Sequence, residues 1–250
     1  MAELIFVKLG GSAITEKTRE NTLNPIILEQ AANELSECEH KLLIGHGGGS
    51  FAHPVAEKYN VQEGMITQGT NGFNKTRENV MKLGSLVLNA LKTAGMPAVY
   101  VPSFACTLMK NGKVNEIFTS PIERYLSLGE VPVLPGDVCL DSKIGCSIAS
   151  TEMLFKFLAE KLKPSRIIIG TNVDGVLDKK NNVIPEVTEK NLDKILENVE
   201  ETETIDVTGG MRHKVEELMA TGIETQIINL KTPTLLQRAI DGEIVGTVIK

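Results

Sequence analysis

Residues 4–9 form a short apolar run of β-formers stopped by Gly10-Gly11, the pattern of a strand buried on both faces. Comparable runs recur along the chain. Residues 41–45 (KLLIG) predict a second strand, 97–102 (PAVYVP) a third, 131–134 (VPVL) a fourth and 166–170 (RIIIG) a fifth. Residues 224–229 and 246–249 supply two more near the end. Between these runs the apolar positions change to helical spacing. In 25–35, Ile26, Ile27, Ala31 and Leu35 share a face, and Pro25 suits the first turn. Residues 78–94 predict a long helix closed by Gly95 in a left-handed cap. Further helices are predicted over 122–128, 151–162, 191–199, 210–220 and 232–239. The polar, glycine-dotted stretch 61–74 predicts a flexible loop.

Strands that alternate with helices, most of them continuous apolar runs, predict an α/β fold. The expected architecture is a three-layer αβα sandwich around a mainly parallel central sheet. Such sheets bind ligands outside the carboxyl ends of their strands. Two glycine clusters fall there, Gly10-Gly11-Ser12 after the first strand and Gly47-Gly48-Gly49-Ser50 after the second. A third, Thr208-Gly209-Gly210, opens a later helix.

Composition narrows the possibilities. The 250 residues suffice for one large core or two small lobes, and no internal repeat is visible. The net charge is -6, aromatics are 4% and Trp is absent. A nucleic-acid or membrane partner is therefore not expected, and any phosphate chemistry should sit in a focused pocket. Cys38, Cys106, Cys139 and Cys146 lack metal-type spacing and read as the reduced thiols of a cytoplasmic protein. The N-terminus reads as a strand rather than a signal peptide, and no apolar stretch is long enough to span a bilayer.

Glycines lacking a Cβ let the backbone approach a phosphate and point N–H groups at it, and a helix starting there adds its positive end. A single cluster reads equally as a tight strand-to-helix turn; three at the ligand-facing edge favour an anion site. No Lys-Ser or Lys-Thr follows at Walker spacing, and residues 170–175 (GTNVDG) lack the Rossmann glycine pattern. A nicotinamide or flavin enzyme is thereby disfavoured.

Phosphoryl transfer needs positive charge where negative charge spreads. Lys8 interrupts an apolar strand, and a buried lysine requires an anionic partner. Lys17 lies just past the first glycine turn, as an exposed loop lysine also would. Lys214 lies one turn into the helix opened by Gly210, where it could equally face solvent. His46 and His53 flank the second glycine cluster. A protonated imidazole could donate to a phosphate oxygen there, and a neutral one could orient it. Their spacing carries no metal-ligand signature, so no protein-bound metal is expected.

Together these residues resemble the amino acid kinase superfamily. KLGGSAITEK (8–17), HGGGSFAHP (46–54), PGDV (135–138), TNVDGV (171–176) and DVTGGMRHK (206–214) occur in that family's order and span nearly the whole chain. Within it the chain is most similar to the isopentenyl phosphate kinases, on the strength of His53. The resemblance implies ATP-dependent phosphorylation of isopentenyl phosphate to its diphosphate. It implies an N-terminal lobe, 1–165, for the acceptor and a C-terminal lobe, 166–250, for the nucleotide, on one continuous sheet. It also implies ATP as the phosphoryl donor and a homodimer; Mg2+ is expected because ATP phosphoryl transfer normally uses it.

Carried over by motif, Lys8 and Lys214 bracket the ATP phosphates and Lys17 stabilises the moving phosphoryl group. Gly10, Gly11 and Ser12 lie under the nucleotide, together with Gly49, Thr171, Asn172, Asp174 and Gly210. Gly48, Gly49 and His53 meet the acceptor phosphate. Phe73 and Thr76 are expected at its tail, with Val80, Leu83 and Val87 at helical spacing behind them and at least Leu83 and Val87 read as core. Two positions depart from the family pattern. Glu152 stands where an aspartate orients the catalytic lysines, and Asn172 stands where an aspartate is common. A kinase of a phosphonate such as a fosfomycin-type antibiotic is the nearest alternative, and a non-catalytic nucleotide-binding homologue is a further one.

Overall fold

The computed structural model describes residues 2–197 and 210–250. In chain order the first elements are β1 (Leu4–Leu9), α1 (Gly11–Ile14), α2 (Pro25–Ser36), β2 (Lys41–His46) and α3 (Gly49–Lys58). Then come α4 (Met65–Gln68), α5 (Thr70–Thr93), β3 (Ala98–Tyr100), α6 (Ser103–Cys106), β4 (Thr107–Lys110), β5 (Lys113–Ile117) and α7 (Ser120–Ser127). The middle of the chain continues with β6 (Val131–Pro135), β7 (Asp137–Asp141), β8 (Gly145–Ala149), α8 (Thr151–Leu162) and β9 (Arg166–Thr171). The last elements are β10 (Glu186–Val187), α9 (Leu192–Leu196), α10 (Gly210–Met219), β11 (Thr225–Asn229), α11 (Leu235–Ile240) and β12 (Thr247–Ile249).

Eight strands form one sheet in the order β10-β12-β11-β9-β1-β2-β6-β3. Every neighbouring pair is parallel except β11–β12, so the expected mainly parallel α/β sheet is what the chain builds. Alternation along β1 sorts its side chains between two cores. Ile5, Val7 and Leu9 enter the layer that includes Leu28, Leu35, Leu83 and Val87, from α2 and α5. Phe6 enters the opposite layer with Phe155, Leu158, Val215 and Leu218, from α8 and α10. The Phe6 and Phe155 rings stand 5.1 Å apart, and burying each contributes roughly 1.5–3 kcal/mol. Lys8 lies two residues after Phe6 and therefore shares the α8 face.

Two readings of the sequence need correction. Residues 61–74 are not a loop: a 3-10 turn at Val61–Glu63 and α4 occupy the first part, and α5 begins at Thr70, eight residues ahead of the predicted start. Gly64 and Gly69, at φ +86° and +76°, punctuate these short helices instead of dissolving them. The early turns of α5 are amphipathic, with Gly72, Thr76 and Val80 buried while Asn71, Asn74 and Lys75 face solvent. The second correction is a separate four-stranded sheet, β5-β4-β7-β8, which the strand–helix alternation did not foretell. Asp141 ties its turns together. Its carboxylate accepts N–H bonds from Asn111, Gly112 and Lys143 at 2.8–3.0 Å and a hydroxyl bond from Ser147 at 3.0 Å. Gly95 closes α5 at φ +88° as expected. Among the described residues no helix is long and apolar enough to cross a membrane.

Candidate active site

The register of the parallel strands aligns their carboxyl ends. Leu9 pairs with His46 on one side and Gly170 on the other, and His46 pairs with Pro135. The glycine turns after β1 and β2 therefore emerge side by side and in van der Waals contact. A Cβ on Gly11 would stand 2.4 Å from the Gly49 nitrogen, and one on Gly10 would stand 2.2 Å from the Gly170 oxygen. Gly10 donates its N–H to that oxygen at 2.8 Å. Gly49 adopts φ +48°, and the Thr15 hydroxyl fixes the turn by bonding the Gly11 carbonyl at 2.6 Å and receiving the Ser50 N–H at 2.9 Å. The Phe51 and Ala52 N–H groups both bond the Gly48 carbonyl at 3.2 Å, which closes the first turn of α3 onto the glycine cluster.

Lys8 has the anionic partner its burial demands. Its Nζ stands 2.5 Å from Glu152 Oε1, with the two side chains 8% and 3% exposed. Glu152 occupies the first turn of α8, where the helix dipole favours an acid, and the Ser150 hydroxyl caps that turn by accepting the Met153 N–H at 3.2 Å. Burial opposes ionisation of Glu152. The Lys8 charge, then the Lys214 charge and the Lys8 hydrogen bond outweigh it and hold the carboxyl below its ordinary value.

Lys214 reaches this place through helix register. α8 and α10 pack together through Phe155, Leu158, Val215 and Leu218, and a Lys156–Glu217 ion pair at 3.2 Å spans them. One turn toward the N-terminus of each helix lie Glu152 and Lys214. Two ammonium groups therefore bear on one carboxylate, which leaves an excess of positive charge at the edge where the glycine turns open. That excess suits a polyanion.

His53 lies half-buried on the first turns of α3, and a Cβ on Gly48 would be 3.8 Å from its Cδ2. The imidazole is therefore beside the glycine turn. His46, fully buried, behaves otherwise. Burial drives its pKa down to about 4, with the nearby Lys8 charge acting in the same direction against a bond to the Gly47 carbonyl. The imidazole is therefore held neutral, which leaves no protonated ring there to donate to a phosphate.

The remaining expected residues are distributed as follows. Ser12 lies half-buried in α1, and Lys17 lies exposed in the loop closed by the Thr15–Leu23 bridge. Thr171 is buried with its hydroxyl bonded to the Val173 and Ile228 carbonyls, so it shapes the turn after β9. Asn172 follows it, half-buried, and Asp174 is exposed and accepts a bond from Asn229 at 2.8 Å. Gly210 opens α10, while Thr208, Gly209 and the start of the 206–214 motif lie outside the described residues. Phe73 packs partly buried against Ala56, Val61, Val138 and Cys146, and Thr76 is buried. Val80, Leu83 and Val87 are fully buried along α5, as core positions are.

Sequence reasoning passed over one feature. A cavity of about 680 Å3 opens on the C-terminal half, lined among others by Lys179, Lys180, Ile184, Pro185, Lys194 and Ile195. It lies downstream of the turn after β9 and not over the Lys8–Glu152 pair. The lysine pair in a turn after TNVDGV was its one visible signal.

The amino acid kinase family model matches residues 3–229. The chain is 38% identical to the isopentenyl phosphate kinase of Methanothermobacter thermautotrophicus over 264 aligned positions, covering 98% of each protein. It is 30% identical to the enzyme of that name from Methanocaldococcus jannaschii, again over 98% of each. An X-ray structure of isopentenyl phosphate kinase superposes with a TM-score of 0.85 at 32% identity, covering 99% of this chain and 100% of that one.

Proposed function

This chain belongs to the amino acid kinase family, and from that premise we propose that it transfers the terminal phosphoryl group of ATP to isopentenyl phosphate, giving isopentenyl diphosphate and ADP. The observation that carries the reading is the convergence of Lys8 and Lys214 on Glu152, beside the contiguous glycine turns and with His53 at Gly48. Cationic groups from distant parts of the chain meet where two anionic reactants would lie end to end.

In this reading the acceptor lies over Gly48 and Gly49, its phosphate bonded by backbone N–H groups and by His53. ATP lies over Gly10, Gly11 and Ser12, with Lys8 and Lys214 on its phosphates and Lys17 on the group in transit. Glu152 is a positioning residue: it holds two lysines that would otherwise repel one another. The lobe of residues 1–165 takes the acceptor and that of 166–250 the nucleotide. Thr171, Asn172, Asp174 and Gly210 border the nucleotide, and the cavity flanked by Lys180 and Lys194 offers room for its base end. Phe73 and Thr76 face the tail.

The acceptor phosphate is already ionised at neutral pH, so no general base is needed. The attacking oxygen needs alignment, and the charge spreading over the transferred group needs compensation. Magnesium enters on the phosphates of ATP as part of that substrate, where it neutralises charge between the transferred and leaving groups. A homodimer in the cytoplasm completes the reading, and the solution mass tests the dimer.

The decisive assay is ADP release with isopentenyl phosphate, a fosfomycin-type phosphonate and acetylglutamate offered separately. Turnover should be largest with isopentenyl phosphate. Preference for the phosphonate would move the chain to the antibiotic-kinase reading, and ATP binding without ADP release from any acceptor would leave a nucleotide-binding homologue.

A further inference from the structure

Arg77 lies one helical turn beyond Phe73 on α5. Its guanidinium carbon stands 3.6 Å from the Phe104 ring centroid and 5.1 Å from that of Phe73. Phe104 belongs to α6, so the guanidinium joins two elements through two aromatic faces. Its charge also bears on Asp137, the first residue of β7. Arg77 Nε and Asp137 Oδ2 are both buried with no hydrogen-bond partner. A planar cation stacked on a ring, with its inner nitrogen out of reach of solvent, cannot swing away without losing both contacts.

What Arg77 holds lies on the path from the proposed phosphate site. Ala56 follows His53 by three residues on α3 and shares its face. Ala56 packs in the small apolar cluster with Val61, Val138 and Cys146, and Phe73 closes that cluster. Contacts thus run from Ala56, one turn after His53, through Phe73 to Arg77 and Phe104. This cluster is apolar and begins one turn from the imidazole, so it backs the side on which a short hydrocarbon tail attached to a bound phosphate would lie.

We propose that Arg77 is a positioning residue that sets tail specificity, by pinning the Phe73 ring as a wall of the acceptor chamber. The inference rests on the kinase reading above and adds to it a residue that touches no reactant. Without the clamp the Phe73 ring is held only by its packing on the Ala56–Cys146 cluster. The wall against the tail then softens, while the phosphate contacts one turn away are untouched.

The test compares isopentenyl phosphate with ethyl phosphate, which carries the same anionic head on a two-carbon tail. Ethyl phosphate is read as a substrate or, where turnover is too slow, as a competitive inhibitor. In Arg77→Met, which keeps the stem and loses the planar charge, kcat/KM for isopentenyl phosphate should fall about tenfold, the worth of one cation–π contact. The loss should appear in KM, while ethyl phosphate changes by less than about twofold on the same scale. Phe104→Leu should shift preference in the same direction, and it carries the test alone if Arg77→Met does not fold. Arg77→Lys should rescue only in part, since an ammonium cannot stack. Equal losses with both phosphates, or a loss confined to kcat, would overturn the proposal and leave the kinase reading standing. Absence of ADP release by the wild type would overturn both.

Discussion

Lys8 on β1 and Glu152 on α8 form a buried ion pair at 2.5 Å across 144 residues of chain, and Lys214 bears on the same carboxylate. One acid therefore organises two bases. Removing the acid breaks a buried ion pair from one side, the change that costs most at such a site.

Glu152→Gln should therefore destabilise the protein by roughly 3–5 kcal/mol and abolish most turnover. Glu152→Asp keeps the charge one methylene further back and should lose less of both. Chemical denaturation and an ADP-release assay on the two variants check the order. Equal stability of Gln variant and wild type would remove the pair from the account.

Lys214→Ala should leave the fold intact and lower kcat/KM by the equivalent of one charge-assisted contact, roughly 1.5–3 kcal/mol. Steady-state kinetics decides. Wild-type rates would take Lys214 out of the site.

His53→Ala should act on a different parameter. The imidazole sits beside Gly48 and the proposed acceptor phosphate, so KM for the acceptor should rise roughly tenfold or more while KM for ATP stays constant. An unchanged acceptor KM would refute the role.

Gly11→Ala tests the contact between the glycine turns. The new methyl would meet the Gly49 backbone nitrogen at 2.4 Å, with no flexible side chain there able to yield. The turns must separate, at a cost of about 1–3 kcal/mol, and the site with them. Loss of both melting temperature and activity is expected. An active variant with unchanged melting temperature would show that the turns do not touch.

Stability should depend on pH through two buried groups of opposite sign. Burial pushes Asp137 up to about 7, against its ordinary 3.8, and pushes His46 down to about 4 from 6.5. Folded Asp137 keeps a proton that the unfolded chain has lost, so its contribution declines as pH rises from about 4 to about 7. Folded His46 refuses a proton that the unfolded chain accepts, so its contribution declines as pH falls from about 6.5 to about 4. The slopes offset one another in the wild type. Asp137→Asn should unmask the His46 slope, with a melting temperature that drops more steeply than wild type between pH 6.5 and 4. Superimposable profiles from thermal melts would contradict this.

The apolar runs of β1, β2 and β9 and the helical spacing of α2 and α8 were legible because each is a local pattern with one period. The second sheet was not. β4 and β5 are short, and Leu108, Lys110, Lys113 and Glu116 face outward, so a strand pair with a solvated face looks like loop. Residues 61–74 misled for the opposite reason. Their glycines suggested a flexible loop, yet they mark the ends of short helices that pack against Tyr59 and Ile144 elsewhere. At the site, the need of Lys8 for an anion followed from its place in an apolar strand. That Arg77 would stack on Phe104 of α6 followed from nothing local.

The sequence by itself determined the layered sheet and the glycine turns at its carboxyl edge. Alternation, propensity and the missing Cβ act over a few residues and need no partner to be read. Only the tertiary structure decided which charges meet. Lys8 reaches Glu152 because Phe6 and Phe155 set β1 against α8, and Lys214 reaches it because Val215 and Leu218 pack α10 against α8. Such meetings depend on the register between elements far apart in the chain, and that register is fixed by packing of the whole core.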